Sequence, residues 1–510
     1  MTFATTISII IILLGLLVTL MKRKYTFWKN RNVQTPPFKF GWGNFQDPIL
    51  QRRCFSDTLK DFYRFFKSRQ LQHGGLYSFI FPVYVPIDLD IIKSILLVDF
   101  DHFAHRGFYM NEVDDPLSAT IFALNEDKWR WVRAKFSPAF SPAKLKVMFD
   151  SIMRCGEEFA DTIGEVCNEA VDITEVNGGY TMNIIGQCAF GIECNSLKEP
   201  KNEYIVNGTA FFERSLLENI KIQLTEIVPE LMKKLHISIT RPSVTDFYKR
   251  LTFQAMEYRE KNKIVNNDLL DLLIKMKNMN ESNDDVDSID KTCAKKLPFG
   301  EIVGLAYSMF LASFETTSIA ISFTLYLLAS HRDIQEKARD EVIRVMKKYN
   351  GKLTYESMSE FVYLDMVIDE SMRLYPPVHH LYRMCTKDYK VPGTDLILRK
   401  GQKVFVPVIG IHHDEEYYPD PEKFDPERFS TENSNDRNPI TFMPFGIGPK
   451  YCLAQRFGLL QVKIALIMVL QRFEMSTNEK TKNPLEFSTG NHITLFPKDG
   501  IWLNMKKIIE

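Results

Sequence analysis

The sequence predicts a mainly helical body with small β-sheets, an α+β architecture, carried behind an N-terminal membrane anchor. Three observations predict it. Ile302–Ser330 is a long apolar run with one charged residue, Glu315, and as a helix it spans about 44 Å. Helical hydrophobic spacing fills most of 141–279 and returns on both sides of residue 350. Short runs bounded by Pro and Gly, at 75–98 and 390–408, read as strands.

Composition narrows the class. The chain has 510 residues, is 45% hydrophobic and carries no net charge, so a large core forms and disorder is not expected. No basic tract interleaves with aromatics, which argues against nucleic acid as a partner. The 8 cysteines follow no framework spacing and include no Cys-x-x-Cys pair. That fits a reducing compartment and disfavours structural zinc.

Taken in order, Phe3–Met21 is uncharged and rich in Ile and Leu. As a helix it covers about 28 Å, the thickness of a bilayer's hydrocarbon core. Lys22, Arg23 and Lys24 follow at once, which places the body on the cytosolic side. A cleaved signal peptide would carry a basic n-region and a small-x-small site, and neither is clear here. Residues 1–21 are thus expected as an anchor, 22–45 as a stiff, extended link around Pro36–Pro37, and 46–510 as the catalytic body.

Within the body, LYSFIF and VYVPIDL predict a small sheet, followed by a short helix at Leu89–Leu97 and an irregular stretch to Leu124. Glu126–Phe140 predicts a helix on which Trp129 and Arg133 share one face. An indole N–H and a guanidinium placed so both donate to a carboxylate. Lys128, Arg130 and Lys135 offer a basic face for an acidic partner, or a merely solvated one. The helical region 141–279 is expected to break at Gly178–Gly179, Pro200 and Arg241–Pro242, and Asn280–Asp290 to form an exposed, mobile loop. In Ile302–Ser330 the Ser and Thr content favours a buried core helix over a second membrane span. There Ala312-Ser313-Phe314-Glu315-Thr316 sets an acid beside an alcohol in apolar surroundings, an arrangement that suits proton delivery.

Two amphipathic helices follow, the second ending before Pro376–Pro377 and carrying Glu370 and Arg373 three apart. Arg428, in PEKFDPERF, is placed to join them. His412, His413, Asp414 and Glu415 read as a surface turn in preference to a metal site. Near the C-terminus FSTGNHITLFPKDGIWL reads as a hairpin whose tip, Thr489–Ile493, closes a pocket.

The chain is organised around Phe445–Ala454, FGIGPKYCLA, where Gly446, Gly448 and Pro449 shape a tight turn ahead of Cys452. The helical pattern after it puts Cys452 at a helix entrance, where amide N–H groups favour a thiolate. A single thiolate in a Gly-rich loop suits haem iron better than zinc.

This loop resembles the haem-binding signature of the cytochrome P-450 superfamily, the haem-thiolate monooxygenases. Trp129-x-x-x-Arg133, Glu315–Thr316, Glu370-x-x-Arg373 and Pro426-Glu-Arg428-Phe are similar to that family's other motifs, in its order. Lys450, Ala454 and Ser313 depart from its usual Arg, Gly and Gly. The resemblance implies haem b (iron protoporphyrin IX) bound through Cys452, beneath a long central helix. Phe445, Trp129, Arg133, Arg383 and Lys450 hold the cofactor, Glu315 and Thr316 manage protons, and a Glu370–Arg373–Arg428 network supports the loop. Pocket walls are implied at Phe103, Phe108, Ile121 and Phe122, and at Ala312, Val378, His379, His380, Leu381 and Ile493. It further implies electrons from NADPH through a cytochrome P-450 reductase, with cytochrome b5 as an optional second donor, and O2 and an apolar small molecule as substrates. DDPLSATIF, FETTS and HHDEEYYPDPEKFDPERF look most like insect microsomal members that oxidise foreign compounds. These sit in the endoplasmic reticulum membrane by a single-pass anchor. An endogenous hormone or lipid substrate, an O2-independent isomerase or dehydratase, and a non-catalytic haem sensor remain the alternatives.

Overall fold

The computed structural model describes residues 3–279, 297–435 and 437–508. The loop expected at Asn280–Asp290 lies outside them.

The N-terminal helix, Phe3–Lys24, ends in Lys22, Arg23 and Lys24, and its described residues are almost all exposed. Among the described residues two helices are long and apolar enough to cross a membrane by length and composition, this one and Phe299–Ser330. The second is 83% buried inside the protein over its most apolar window, which makes it a core helix.

The stretch expected as a link is docked on the body. Trp28 is fully buried and its indole donates to the Leu76 carbonyl at 2.9 Å. Tyr25 donates to the Phe79 carbonyl at 2.9 Å, and the Tyr77 amide donates to Asn44 at 2.7 Å. A Cβ on Gly75 would sit 2.5 Å from the Trp28 ring, so the glycine makes room for this anchor. The indole draws the segment in because its apolar area and its one N–H are satisfied together.

The first sheet has four strands in the order His73–Ser78, Phe81–Pro86, Lys403–Val406, Leu381–Met384. The central pair is parallel and the outer pairs antiparallel. Pairing Arg383 with Val404 fixes where Arg383 stands. A second sheet joins Val171–Asp172, Trp502–Lys507 and Phe473–Thr477.

The central helix, Phe299–Ser330, packs against Ile173–Ile185, Val362–Leu374 and Gln455–Arg472. Two of its alcohols are satisfied by neighbouring helices in the core: Asn177 donates to Ser322 at 2.8 Å and Thr324 to Ser371 at 2.9 Å. Gly178 and Gly179 do not break the chain as expected. They lie inside Ile173–Ile185, because a Cβ on Gly179 would fall 2.7 Å from the Ser196 carbonyl oxygen. Here glycine serves close packing, and tertiary contact outweighs its helix penalty of about 1 kcal/mol.

The turn at 412–415 is a surface feature only at Glu415, which is exposed. His412 is fully buried and Asp414 nearly so, and no metal-binding cluster occurs among the described residues. The C-terminal hairpin is irregular, held by isolated pairs of Phe487 with Pro497 and of Val378 with Thr494.

Candidate active site

The Cys452 loop is held by its own backbone. The Cys452 amide donates to the Phe445 carbonyl at 2.8 Å, and the Tyr451 amide to Gly448 at 2.9 Å. Gly448 takes φ +75, and a Cβ there would meet the Leu96 carbonyl oxygen at 1.9 Å. The helix Gln455–Arg472 begins three residues after Cys452. The thiol is free. Burial pushes its pKa up, opposed by an amide hydrogen bond from Ala454 and by the charges of Arg133 and Arg106. The loop amides alone therefore do not make the thiolate expected from sequence, whereas a coordinated metal ion deprotonates a thiol outright.

Thirty-eight residues, Cys452 among them, enclose a cavity of about 340 Å³. Four cations line it: Arg106, Arg133, Arg383 and Lys450. Arg133 stands on a helix, Glu126–Phe136, started by Asn125, whose side chain accepts from the Lys128 amide at 3.1 Å. Its guanidinium donates to the Tyr451 carbonyl at 2.9 Å. Arg106 donates to the Lys450 carbonyl at 3.2 Å. The Lys450 ammonium lies 3.7 Å from the centre of the Trp129 ring, a cation–π contact.

Among the described residues no carboxylate pairs with any of the four. Burial draws Arg106 down to about 10, Arg383 to about 9 and Lys450 to about 5, with the neighbouring arginines adding to each. Arg383 Nε and Lys450 Nζ are enclosed without a partner. Unpaired buried cations are costly, and a dianion at this spot would relieve them. The two propionates of haem fit that requirement, and the free thiol on the same cavity fits its iron.

Arg106 was missed from sequence. It lies in the irregular stretch read only for its aromatic walls, and its one signal is a cation with no acid within four positions. Lys128 and Arg130, expected on a docking face, are engaged within the chain by Glu301 and by Glu126 and Asp101; Lys135 is exposed.

The central helix brings Ala312, Ser313 and Thr316 to the cavity but not Glu315. Thr316 donates its proton to the Ala312 carbonyl at 2.6 Å. Glu315 is buried, and its Oε1 has no partner. Burial, with Glu213 nearby, pushes its pKa up to about 8, so it is protonated at neutral pH. Phe108, Ile121, Phe122, Phe445, Val378 and Ile493 line the cavity. His379 and Phe103 do not. Phe103 is fully buried against Tyr389, ring centres 4.8 Å apart, and His379 turns from the cavity while His380 faces it.

Beneath the loop, Arg373 grips Glu370 at 2.6 and 2.9 Å, and both side chains are fully buried. Arg428 approaches Glu370 only to 3.4 Å. Arg373 also donates to the His412 carbonyl at 2.8 Å, and the His412 ring accepts from the Met443 amide at 2.9 Å. This chain of contacts ends two residues before Phe445. It gives His412, read from sequence as part of a surface turn, a positioning place.

A thiol and four unpaired cations on one apolar cavity, under a single buried helix, define a haem-thiolate protein. Comparison with known proteins places it further. The cytochrome P450 family model matches residues 50–504. The chain is 36% identical to "Probable cytochrome P450 6a13" of Drosophila melanogaster over 506 residues, covering 98% of this chain and 99% of that one. It is 38% identical to "Cytochrome P450 6k1" of Blattella germanica over 493 residues, covering 95% and 93%. The chain belongs to the cytochrome P450 family, and is a haem-binding monooxygenase whose electrons come from NADPH by way of a reductase.

Proposed function

We propose that this enzyme is a membrane-anchored oxygenase of apolar foreign compounds. The observation that carries the reading is the cavity itself. Phe108, Ile121, Phe122, Phe211, Phe212 and Ile493 share it with Cys452 and Thr316, so an apolar molecule is buried against the place where oxygen chemistry occurs. Cys452 would hold haem, which would supply the activation of O2 with two electrons from NADPH and two protons.

The chain's own residues do the rest. Arg106, Arg133, Arg383 and Lys450 neutralise the propionates, with Trp129 and Phe445 against the cofactor. Thr316 keeps its lone pairs for a water at the cavity, since its proton is committed to Ala312. Glu315, protonated at neutral pH, stores a proton one residue away and reaches the cavity through a water or a rotamer change. Glu370, Arg373 and Arg428 hold the loop that presents Cys452. The N-terminal helix inserts in the endoplasmic reticulum membrane as a single span, and Lys22, Arg23 and Lys24 keep the body cytosolic. The reductase, and cytochrome b5 as a second donor, deliver the electrons.

The test is reconstitution with reductase and lipid. NADPH-dependent oxidation of apolar probes, with a red-shifted ferrous–CO spectrum, is expected. Turnover without NADPH, or a CO spectrum lacking the shift, overturns the reading. Preference for an endogenous hormone or lipid over every foreign probe would overturn the substrate assignment alone.

A further inference from the structure

The segment after Pro377 sets two imidazoles side by side, both buried, with His380 at the cavity. Their Nδ1 atoms lie 2.8 Å apart. Neither two bare lone pairs nor two N–H groups sit at that distance, so one ring donates to the other. Burial takes His379 down to about 3 and His380 well below its ordinary value, so both are uncharged. The His380 ring is fixed by stacking on Phe405 at 4.5 Å and by the edge contact with Tyr382 at 4.5 Å.

The direction of the bond follows from the outer nitrogens. His379 Nε2 is enclosed and unpartnered; His380 Nε2 is unpartnered but not enclosed. If His380 were the donor, His379 would bury an N–H with nothing to accept it. The reverse leaves only a bare lone pair there, and orphaned buried N–H groups are the rarer of the two. His379 therefore donates through Nδ1, and the proton of His380 sits on Nε2. Among the cavity's hydroxyls, Thr316 has given its proton to the Ala312 carbonyl, and Ser313 Oγ is enclosed.

We propose that His380 is a fixed, uncharged hydrogen-bond donor in the cavity wall, selecting apolar substrates that carry one acceptor oxygen, such as ketones, esters or ethers. His379 is the positioning residue that sets its tautomer. The inference rests on the oxygenase reading above and names the substrate class of the same cavity.

Equilibrium binding to the haem-loaded enzyme, read by optical difference titration without reductase or NADPH, tests it. Diphenylmethane, benzophenone and diphenylamine are matched in size and differ in offering no polar group, an acceptor or a donor. Wild type is expected to bind benzophenone roughly five- to tenfold tighter than diphenylmethane, the range of one neutral hydrogen bond. H380F and H380M bring that ratio to about one. H380Q, which keeps a donor, restores part of the preference. H379F frees the tautomer, lowering the benzophenone preference and raising diphenylamine binding. An unchanged ratio in H380F and H380M, or a wild type that favours diphenylamine over benzophenone, overturns the proposal. The ferrous–CO spectrum of each protein separates the two readings. A normal spectrum with an unchanged ratio sinks this inference alone, whereas an unshifted wild-type spectrum sinks the oxygenase reading beneath it.

Discussion

Replacing Glu370 by Ala removes the carboxylate that holds Arg373 through two bonds, and Arg373 stays fully buried with the His412 and Lys423 carbonyls and the Tyr418 ring but no counter-charge. The Asp425 amide loses its acceptor at the same time. Breaking a buried pair by deleting one partner costs about 3–5 kcal/mol, because a charge is left uncompensated. Domain stability is about 5–15 kcal/mol in total, so a large fraction disappears. Each 1.4 kcal/mol is about tenfold, which makes the shift in the folded population roughly 100-fold or more. The damage also has a route to the site, since Arg373 holds His412 and His412 holds the Met443 amide ahead of the Cys452 loop. Arg428→Ala is the control. Its approach to Glu370 at 3.4 Å lacks hydrogen-bond geometry, so its loss should cost at or below about 1.5 kcal/mol. Haem per polypeptide, from the ferrous–CO signal, and the urea midpoint followed at the haem absorbance should both collapse in Glu370→Ala and fall modestly in Arg428→Ala. Wild-type occupancy and midpoint in Glu370→Ala would refute the argument, as would equal damage in the two variants.

Three further outcomes are expected. Arg106→Ala should speed haem transfer to an excess apo-acceptor by roughly 10- to 100-fold, the loss of one charge-assisted contact; an unchanged rate would exclude Arg106 from the cofactor site. Gly448→Ala should give no CO signal, since its Cβ collides with the Leu96 carbonyl, whereas Gly393→Ala, with φ +71 but nothing within 4 Å, should lose only the backbone strain of about 1–2 kcal/mol. Glu315→Gln should stabilise the protein in a pH-dependent way. Between 4.5 and about 8 the native Glu315 holds a proton that the unfolded chain has released, so wild-type stability falls as pH rises through that window and levels above it. The thermal-melt difference should therefore be small at pH 5 and widen to at most roughly 3–4 kcal/mol near pH 8; a difference that does not change with pH would sink the assignment.

The parts of the site legible in the sequence are those written within a few residues. Trp129 and Arg133 meet because a helix brings i and i+4 together, and Glu370 meets Arg373 for the same reason at i+3. Gly446, Gly448 and Cys452 describe a turn complete in itself. What escaped reading is decided by distant partners. Arg106 becomes a site residue only when the loop carrying Lys450, more than 300 positions later, folds over it. His379 and His380 are adjacent in an extended segment, where side chains alternate sides, and Phe405 on a neighbouring strand decides which one faces the cavity. Gly178–Gly179 reads as a break by propensity and is a packing surface by contact. Residues 22–45 read as a link because no local signal tells that Trp28 fits over Gly75.

The division of polarity inside the cavity bears on how selective the enzyme is. In the proposed complex its charged groups, Arg106, Arg133, Arg383 and Lys450, serve the cofactor, and the remaining walls are largely aromatic and aliphatic. Burying about 300 Å² of an apolar ligand there gives roughly 7 kcal/mol gross at 25 cal/mol per Å², before the entropy of immobilisation is subtracted. That force has no direction. It admits many molecules of suitable size and leaves each free to turn, which suits a broad oxidase of foreign compounds. Which carbon is presented to the oxygen must then be decided by the few groups that do have direction. An hydrogen bond of about 1 kcal/mol from the wall shifts the ratio of two poses by roughly fivefold. Regiochemistry in such a pocket is thus set by small polar contacts such as His380 while area supplies most of the affinity, so changes at His380 should alter product ratios as well as the binding of acceptor-bearing substrates.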